Sequence, residues 1–297
     1  MRFAEIGQQL RAYRLESGLR AEEIAARLGV SRAALYRYEK GEVIKLDTIR
    51  RLAELLKISP LSLLGIGVEY FGRPAAFQER LRQVEEQADQ VLQVGGGLCY
   101  PVSTDAFDGA LAEAWTEVAD GSPDRLLART QVEQMLGLLA ARKKLHQSRR
   151  PNIIALLGEA TIARMLTEGI APGLALSERA RMRCRLAARA EVEAIADQME
   201  SVPIGLQIGL IAGSEPAGPF MVMRGRERAH VVGSAFMPDT HPNATAGVAF
   251  ITAADEAVGT HQRVAEAAWR EALKGAEAAS RLRELLRRAS ADAGMQV

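Results

Sequence analysis

The sequence predicts a mainly α-helical protein that turns α+β toward its C-terminus. Three observations carry this. Apolar residues recur at helical spacing, with Gly- and Pro-bearing interruptions, from Ile6 to Met199. After Pro203 the period shortens. Residues 204–211, 219–224, 230–236 and 247–252 are short apolar stretches separated by Gly, Pro and Asn, and read as about four strands of a small antiparallel sheet. The helical period then returns from Val264 to Leu286 as a single closing helix.

A chain of 297 residues with 48% hydrophobic content is long enough for two domains and a sizeable core. No run approaches the ~18 apolar residues of a membrane span, and Met1-Arg-Phe-Ala-Glu-Ile lacks a signal-type apolar core, so a cytoplasmic location is expected. Cys99 and Cys184 lie far apart, form no metal-spaced set, and are expected to be reduced thiols. The net charge of +1 is uninformative, but its distribution is not. Residues 1–64 hold 12 Lys/Arg and 8 Asp/Glu, hence 12 − 8 = +4, whereas the remaining 233 residues hold 26 and 29, hence −3. A basic head on a slightly acidic body suits a nucleic-acid-binding module joined to something else.

Within the head, Ile24, Ala25 and Leu28 share one helical face. Gly29 tolerates the left-handed backbone of a tight helix-to-helix turn. Ser31 is a good N-cap for the next helix, because its hydroxyl accepts from free N–H groups of the first turn. In that helix Leu35 and Tyr38 point inward, and Arg32, Ala33, Tyr36 and Arg37 form the opposite face. An apolar back with a basic front is what reading the major groove requires. It is also common on ordinary surface helices.

The wider pattern decides between these. Leu10, Arg14, Gly18, Leu19, Glu22, Ala25, Gly29, Val30, Ser31, Leu35, Glu39, Gly41, Leu52, Ala53 and Leu56 fall where the Cro/CI-type (XRE) helix-turn-helix regulators have them. The first 65 or so residues resemble that family. The resemblance implies a five-helix, lambda-repressor-like bundle that binds double-stranded DNA at a palindromic operator, usually as a homodimer. It implies base contacts from Arg32, Ala33 and Arg37, with Tyr36 beside them. Arginine pairs bidentately with guanine N7 and O6, so guanine is expected under Arg32 or Arg37. The family's usual phosphate-holding Gln is replaced by Ala21, which leaves that contact absent or passed to Arg20. Arg14 and Glu39 match a pair that forms a partly buried salt bridge in the family. Lys40 and Lys45 are the expected phosphate contacts. The candidate DNA-binding set is therefore Arg20, Ser31, Arg32, Ala33, Tyr36, Arg37, Lys40 and Lys45.

Beyond this domain (1–66), residues 67–100 read as a linker with a candidate dimerising helix, and 101–297 as a regulatory domain. Phe77, Leu81, Val84, Ala88 and Val91 are spaced as a heptad seam, which serves either a dimer or the protein's own core. Gly95-Gly-Gly97 stops it. Thr104 or Asp105 can cap a helix through Leu111, Trp115 and Val118. Residues 126–145 are helical and end in the basic run 142–150, which suits either anion contact or the helix dipole. Residues 153–166 read as a helix, and Ser177 opens a long one to Met199. The order of elements after residue 125 loosely resembles the C-terminal region of some actinobacterial XRE regulators, through Gly218-Pro-Phe-Met-Val222 and Val231-Val232.

No catalytic set converges in the sequence. Ser214 and Lys274 make a poor Ser–Lys pair, and neither a zinc-protease motif nor a phosphate loop is present. Of the scattered histidines, only Asp239, His241 and His261 form a conceivable metal set, and His241 reads more simply as a loop residue before Pro242. No cofactor is expected. The expectation is a non-enzymatic dimeric repressor whose C-terminal part answers a small-molecule or protein effector. The alternatives are an enzyme with an appended DNA-binding module and an antitoxin-type interaction protein.

Overall fold

The computed structural model describes residues 3–64, 67–216, 218–244 and 247–294. Its N-terminal part is a bundle of five helices, α1 (Phe3–Ser17), α2 (Ala21–Leu28), α3 (Arg32–Glu39), α4 (Leu46–Leu56) and α5 (Pro60–Leu63). Leu10, Ile24, Leu35, Leu52 and Leu63 meet at its centre without solvent exposure. Gly29 has φ +70°, and the N–H groups of Gly29 and Val30 close back onto Ala26 and Ala25, as the expected turn requires. Ser59 caps α5, whose first residue is Pro60.

The rest of the chain supplies β1 (Val68–Phe71), α6 (Pro74–Gln87), β2 (Ala88–Val94), α7 (Asp105–Asp120), α8 (Arg125–Arg149), β3 (Asn152–Gly158), α9 (Glu159–Glu168) and α10 (Glu178–Ser201). Then follow β4 (Leu206–Ile211), β5 (Phe220–Gly225), β6 (Ala229–Ser234), β7 (Ala249–Thr252), α11 (Asp255–Glu271), β8 (Leu273–Lys274) and α12 (Gly275–Gly294). Among the described residues the strands form one eight-stranded sheet in the order β1-β7-β6-β5-β2-β3-β4-β8. β2, β3 and β4 run parallel, joined by helical crossovers, and the remaining pairs are antiparallel.

The sheet is thus larger than the four antiparallel strands expected, and mixed. Those four are present as β4 to β7. The other strands escaped for physical reasons. Ile153–Gly158, all of β3 after Asn152, is a continuous apolar run buried except for the half-buried Ile154, so it lacks alternation and merges with the helical pattern of α9. In β2, Val91 lies seven residues after Val84 and so fits a heptad, yet it pairs with Ile153 and Met223 in the sheet. The single closing helix is two helices, broken at Leu273–Lys274 where the chain pairs with the β4 edge.

Two apolar layers sandwich the sheet. Ile153, Ala155 and Leu157 belong to one core cluster, with α6, α7, α9, α10 and α12. Leu156 and Val94 belong to the other, with Ala265 and Ala272 from α11 and its C-terminal end. Thr104 caps α7 and Ser177 caps α10, each hydroxyl accepting from the N–H three residues on. Both cysteines are free and buried.

Residues 67–100 therefore hold sheet and core. Phe77, Leu81 and Val84 are buried inside the chain, so the seam does not face outward. α6 lies between the bundle and the sheet. Toward the bundle, Arg11 of α1 reaches Glu79 at 3.0 Å. Arg80 donates to both oxygens of Glu69 at 2.8 and 2.9 Å, and Gln9 donates to the same carboxylate at 3.3 Å. Glu16 accepts from the backbone N–H groups of Gly72 and Arg73. A row of rings crosses the same boundary: Tyr13 stacks on Phe71 at 5.7 Å, Phe71 meets Phe77 at 6.4 Å, and Phe77 meets Phe236 at 6.1 Å.

Candidate nucleic-acid interface

The DNA-reading candidates gather around α3. Ser31 caps it, the hydroxyl accepting from the Ala34 N–H at 3.1 Å, so Ser31 sets where the helix begins. Leu35 anchors the inner face in the core, which turns Arg32, Ala33 and Arg37 out to solvent. Tyr36 is half-buried, and its hydroxyl accepts from Arg32 at 3.1 and 3.3 Å. The guanidinium also lies 5.3 Å from the Tyr36 ring centre. Arg20 stands just before α2, Lys40 just after α3, and Lys45 just before α4, all exposed. Ala21 is buried in the first turn of α2, so it has no means of holding a phosphate, and Arg20 is the cation left at that corner.

Two acidic partners were not foreseen. Glu22 of α2 meets Arg32 at 2.7 Å, and Glu42 meets Arg37 at 3.6 Å. Both pairs are more than half exposed, so each exchanges readily for a base edge or a phosphate. The hydrogen bond to Tyr36 and then the charge of Glu22 hold the Arg32 pKa above its usual value. The apolar Val43 and Leu46 are also exposed, in and after the loop between α3 and α4 and beside Lys45. Val43 and Leu46 flank the buried Ile44, so the sequence shows an apolar stretch there without showing which of its members face outward.

Behind α3, α1 fixes its C-terminal end. Arg14 donates to both Glu39 oxygens, at 2.5 and 3.1 Å, with the side chains 15% and 5% exposed. Burial alone would lower the Arg14 pKa, but the hydrogen bonds and charge of Glu39 more than offset it and keep the guanidinium ionised. Beside this pair α1 touches α3 so closely that a β-carbon on Gly7 would stand 2.5 Å from the Tyr38 carbonyl oxygen.

Residues 5–63 match the family model of a helix-turn-helix domain. This helix-turn-helix domain is the Cro/CI-like bundle expected from the sequence, and it is a DNA-binding domain. No curated protein matches the chain. Among solved structures the chain is similar to TrmBL2, described as an archaeal chromatin protein with a novel mode of DNA binding. The identity is 12% and the TM-score 0.34, over 77% of this chain and 61% of that one. The chain thus spans under two thirds of that protein's length, and the likeness is too distant to establish a shared fold.

The remaining candidates sit in the body. Arg142 and Lys143, the first residues of the basic run, turn inward onto Glu85 and Asp108. Asp239 accepts from the Ala171 N–H, His241 sets its ring edge-on to Trp115, and His261 does the same to Phe220. Among the described residues no three His, Cys, Asp or Glu side chains gather as a metal site, so the conceivable set Asp239, His241 and His261 is not assembled. No described helix is long and apolar enough to cross a membrane.

Proposed function

We propose that this protein is a sequence-specific transcriptional regulator. It acts in the cytoplasm as a homodimeric repressor on a palindromic operator, and its body, the sheet with the helices packed on it, answers an effector. The carrying observation is α3: capped by Ser31, anchored by Leu35 and locked from behind by Arg14–Glu39, it presents Arg32, Ala33 and Arg37 outward as one rigid face. Arg20, Lys40 and Lys45 flank it as phosphate contacts.

Dimerisation follows from reach, since one short helix covers few base pairs and useful specificity needs two half-sites about one DNA turn apart. The 77–91 seam is spent inside the chain. The exposed apolar side chains of Met182 and Leu186 on α10, and of Leu126 and Leu127 on α8, are surfaces left for a second copy. We assign the body to binding rather than catalysis, because its buried charges are committed to structure. Glu191 holds the Thr104 cap, with its pKa raised by burial, and Lys143 holds Asp108.

Selection of bound fragments from a random-sequence DNA pool tests this reading. The full chain is expected to enrich one motif repeated with two-fold symmetry, and light scattering is expected to show a dimer. Recovery of unrelated sequences, or a monomer both on and off DNA, sinks it.

A further inference from the structure

A solvent-open cleft of ≈ 400 Å³ lies where the bundle meets the body, within the range of about 300–1,000 Å³ usual for small-molecule sites. Gln8 of α1 forms one side. The end of α6, the start of β2, Arg149 at the end of α8 and the β5–β6 hairpin form the rest. The hairpin is pinned against α6. The Gly225 N–H donates to the Arg228 carbonyl at 2.9 Å, and a β-carbon on Gly225 would lie 2.3 Å from the Gln87 carbonyl oxygen. The backbone thus sets where Arg226, Glu227 and Arg228 stand on the cleft wall.

The cations of this wall are only loosely engaged. Arg149 and Arg226 share one carboxylate, Asp89, at 3.3 and 3.9 Å, and the Arg226 side chain is 92% exposed. The Arg228 guanidinium has no carboxylate partner among the described residues. Three guanidiniums therefore line the cleft with two carboxylates, Asp89 and Glu227. His230 of β6 stands behind them, half-buried, with no hydrogen bond to its ring among the described residues. Burial, then the charges of Arg80 and Arg228, push its pKa down to about 4 and keep it neutral. Arg80 itself is taken up by Glu69. Across the cleft, the side-chain oxygen of Gln8 is buried without a hydrogen-bond partner. Apart from Val84, Ala88 and Met223, the lining is polar or glycine.

We propose that this cleft is the effector site, and that its ligand is a small hydrophilic phosphate monoester. Such a group carries about −1.5 to −2 charges at neutral pH and three terminal oxygens. That suits donors converging from a hairpin, a helix end and a strand, whereas one guanidinium fork satisfies a planar carboxylate. The dianion exceeds the positive surplus of the lining and draws a proton onto His230, since a nearby opposite charge favours the ionised ring. A hydroxyl beside the phosphate gives the Gln8 amide the donor its oxygen lacks. The proposal rests on the regulator reading above and gives it a site, a ligand class and a route. Gln8 follows Gly7, the residue of α1 that abuts the Tyr38 and Glu39 carbonyls at the end of α3. A ligand bridging Gln8 to the hairpin shifts α1 against the body, and α1 seats the recognition helix.

The test uses the full chain without DNA and three probes: glycerol 3-phosphate, glycerol and glutarate. Calorimetric titration at fixed salt is expected to show glycerol 3-phosphate binding with a Kd of about 1 mM or tighter, and at least about tenfold more tightly than the other two. Arg228→Gln removes an exposed side chain that no carboxylate holds. It is expected to fold normally and to weaken the phosphate at least about tenfold. Arg150→Gln, an equal loss of charge outside the cleft, should leave binding nearly unchanged because salt screens it. The chain has four histidines, so ring NMR resolves His230. Saturating glycerol 3-phosphate should raise the His230 pKa from about 4 toward its ordinary 6.5 in the native chain. No phosphate binding, equal losses in both arginine variants, or a His230 ring untouched by the ligand overturns the site. Glutarate binding as tightly as glycerol 3-phosphate overturns the ligand class.

A second arm measures affinity for the selected operator with and without saturating glycerol 3-phosphate. A change seen in the native chain and absent from Arg228→Gln supports the effector role; unchanged operator affinity in the native chain overturns that role. Loss of random-DNA affinity in Arg228→Gln, without phosphate binding by the native chain, would assign these arginines to the DNA backbone and overturn the site. Failure to select any operator would instead defeat the regulator reading, and the DNA-free titrations would still judge the site.

Discussion

Replacing Glu39 with Ala removes the carboxylate that closes the seam between α1 and α3. Both oxygens of Glu39 are used, and only 5% of the side chain is exposed. The Arg14 guanidinium would then keep its charge with no acid beside it. Breaking a buried ion pair from one side costs about 3–5 kcal/mol. Arg14 retains 15% exposure and so a path to water, which places the expected loss just below that range, at about 2–3 kcal/mol. Urea denaturation of the native chain, of Glu39→Ala and of the double variant Arg14→Met/Glu39→Leu measures this. The double variant should recover most of the loss, because it leaves no charge stranded. DNA affinity should fall in step with stability in Glu39→Ala, since α3 loses its rear support. A normal denaturation curve with a pure affinity defect would refute the argument and make Glu39 a DNA-facing residue.

Other outcomes follow from the same packing. Gly7→Ala would drive a β-carbon against the Tyr38 and Glu39 carbonyls; a stability loss of about 1–3 kcal/mol is expected, and an unchanged melt would show that α1 has room to move. Leu81→Glu with Val84→Glu should prevent folding instead of yielding a soluble monomer, because both residues are in the core; a folded monomer by circular dichroism and light scattering would contradict this. His230 is held neutral by burial and by Arg80 and Arg228, with its pKa lowered from 6.5 to about 4. The unfolded chain binds the extra proton first, so this contribution is fully present above pH ~6.5 and is lost as pH falls toward ~4, by up to about 3 kcal/mol. His230→Gln should flatten that part of the pH–stability curve, and an unaltered slope would assign it elsewhere. Burial pushes the Cys99 thiol up to about 12, so it should resist iodoacetamide at pH 8 until the chain is unfolded; rapid labelling of the native protein would contradict its burial.

The recognition helix was legible in the sequence because local rules define it: a Ser cap, a Gly turn and apolar residues at helical spacing. The same holds for β4 to β7, which Gly, Pro and Asn separate. β2 and β3 were not legible, since buried parallel strands next to helices give no alternation to read. Nor was the inward turn of Arg142 and Lys143. At the end of a long helix such residues look solvated, and only the crossing of α8 over α6 and α7 brings Glu85 and Asp108, 57 and 35 positions away, against them. The arginines of α3 were visible, but their resting partners Glu22 and Glu42 depend on how α2 and the following loop fold back.

The central claim is that α3 reads base edges through Arg32 or Arg37, and one comparison tests it most directly. Affinities of the native chain, Arg32→Ala and Arg37→Ala are measured at fixed salt on the selected operator, on operators changed one base pair at a time, and on random DNA. At least one substitution is predicted to weaken operator binding roughly ten- to hundredfold and to abolish discrimination for guanine at one position of each half-site. Its affinity for random DNA should stay close to that of the native chain. Equal losses on operator and random DNA for both variants, with selectivity at every position intact, would make these arginines phosphate contacts only and contradict the account.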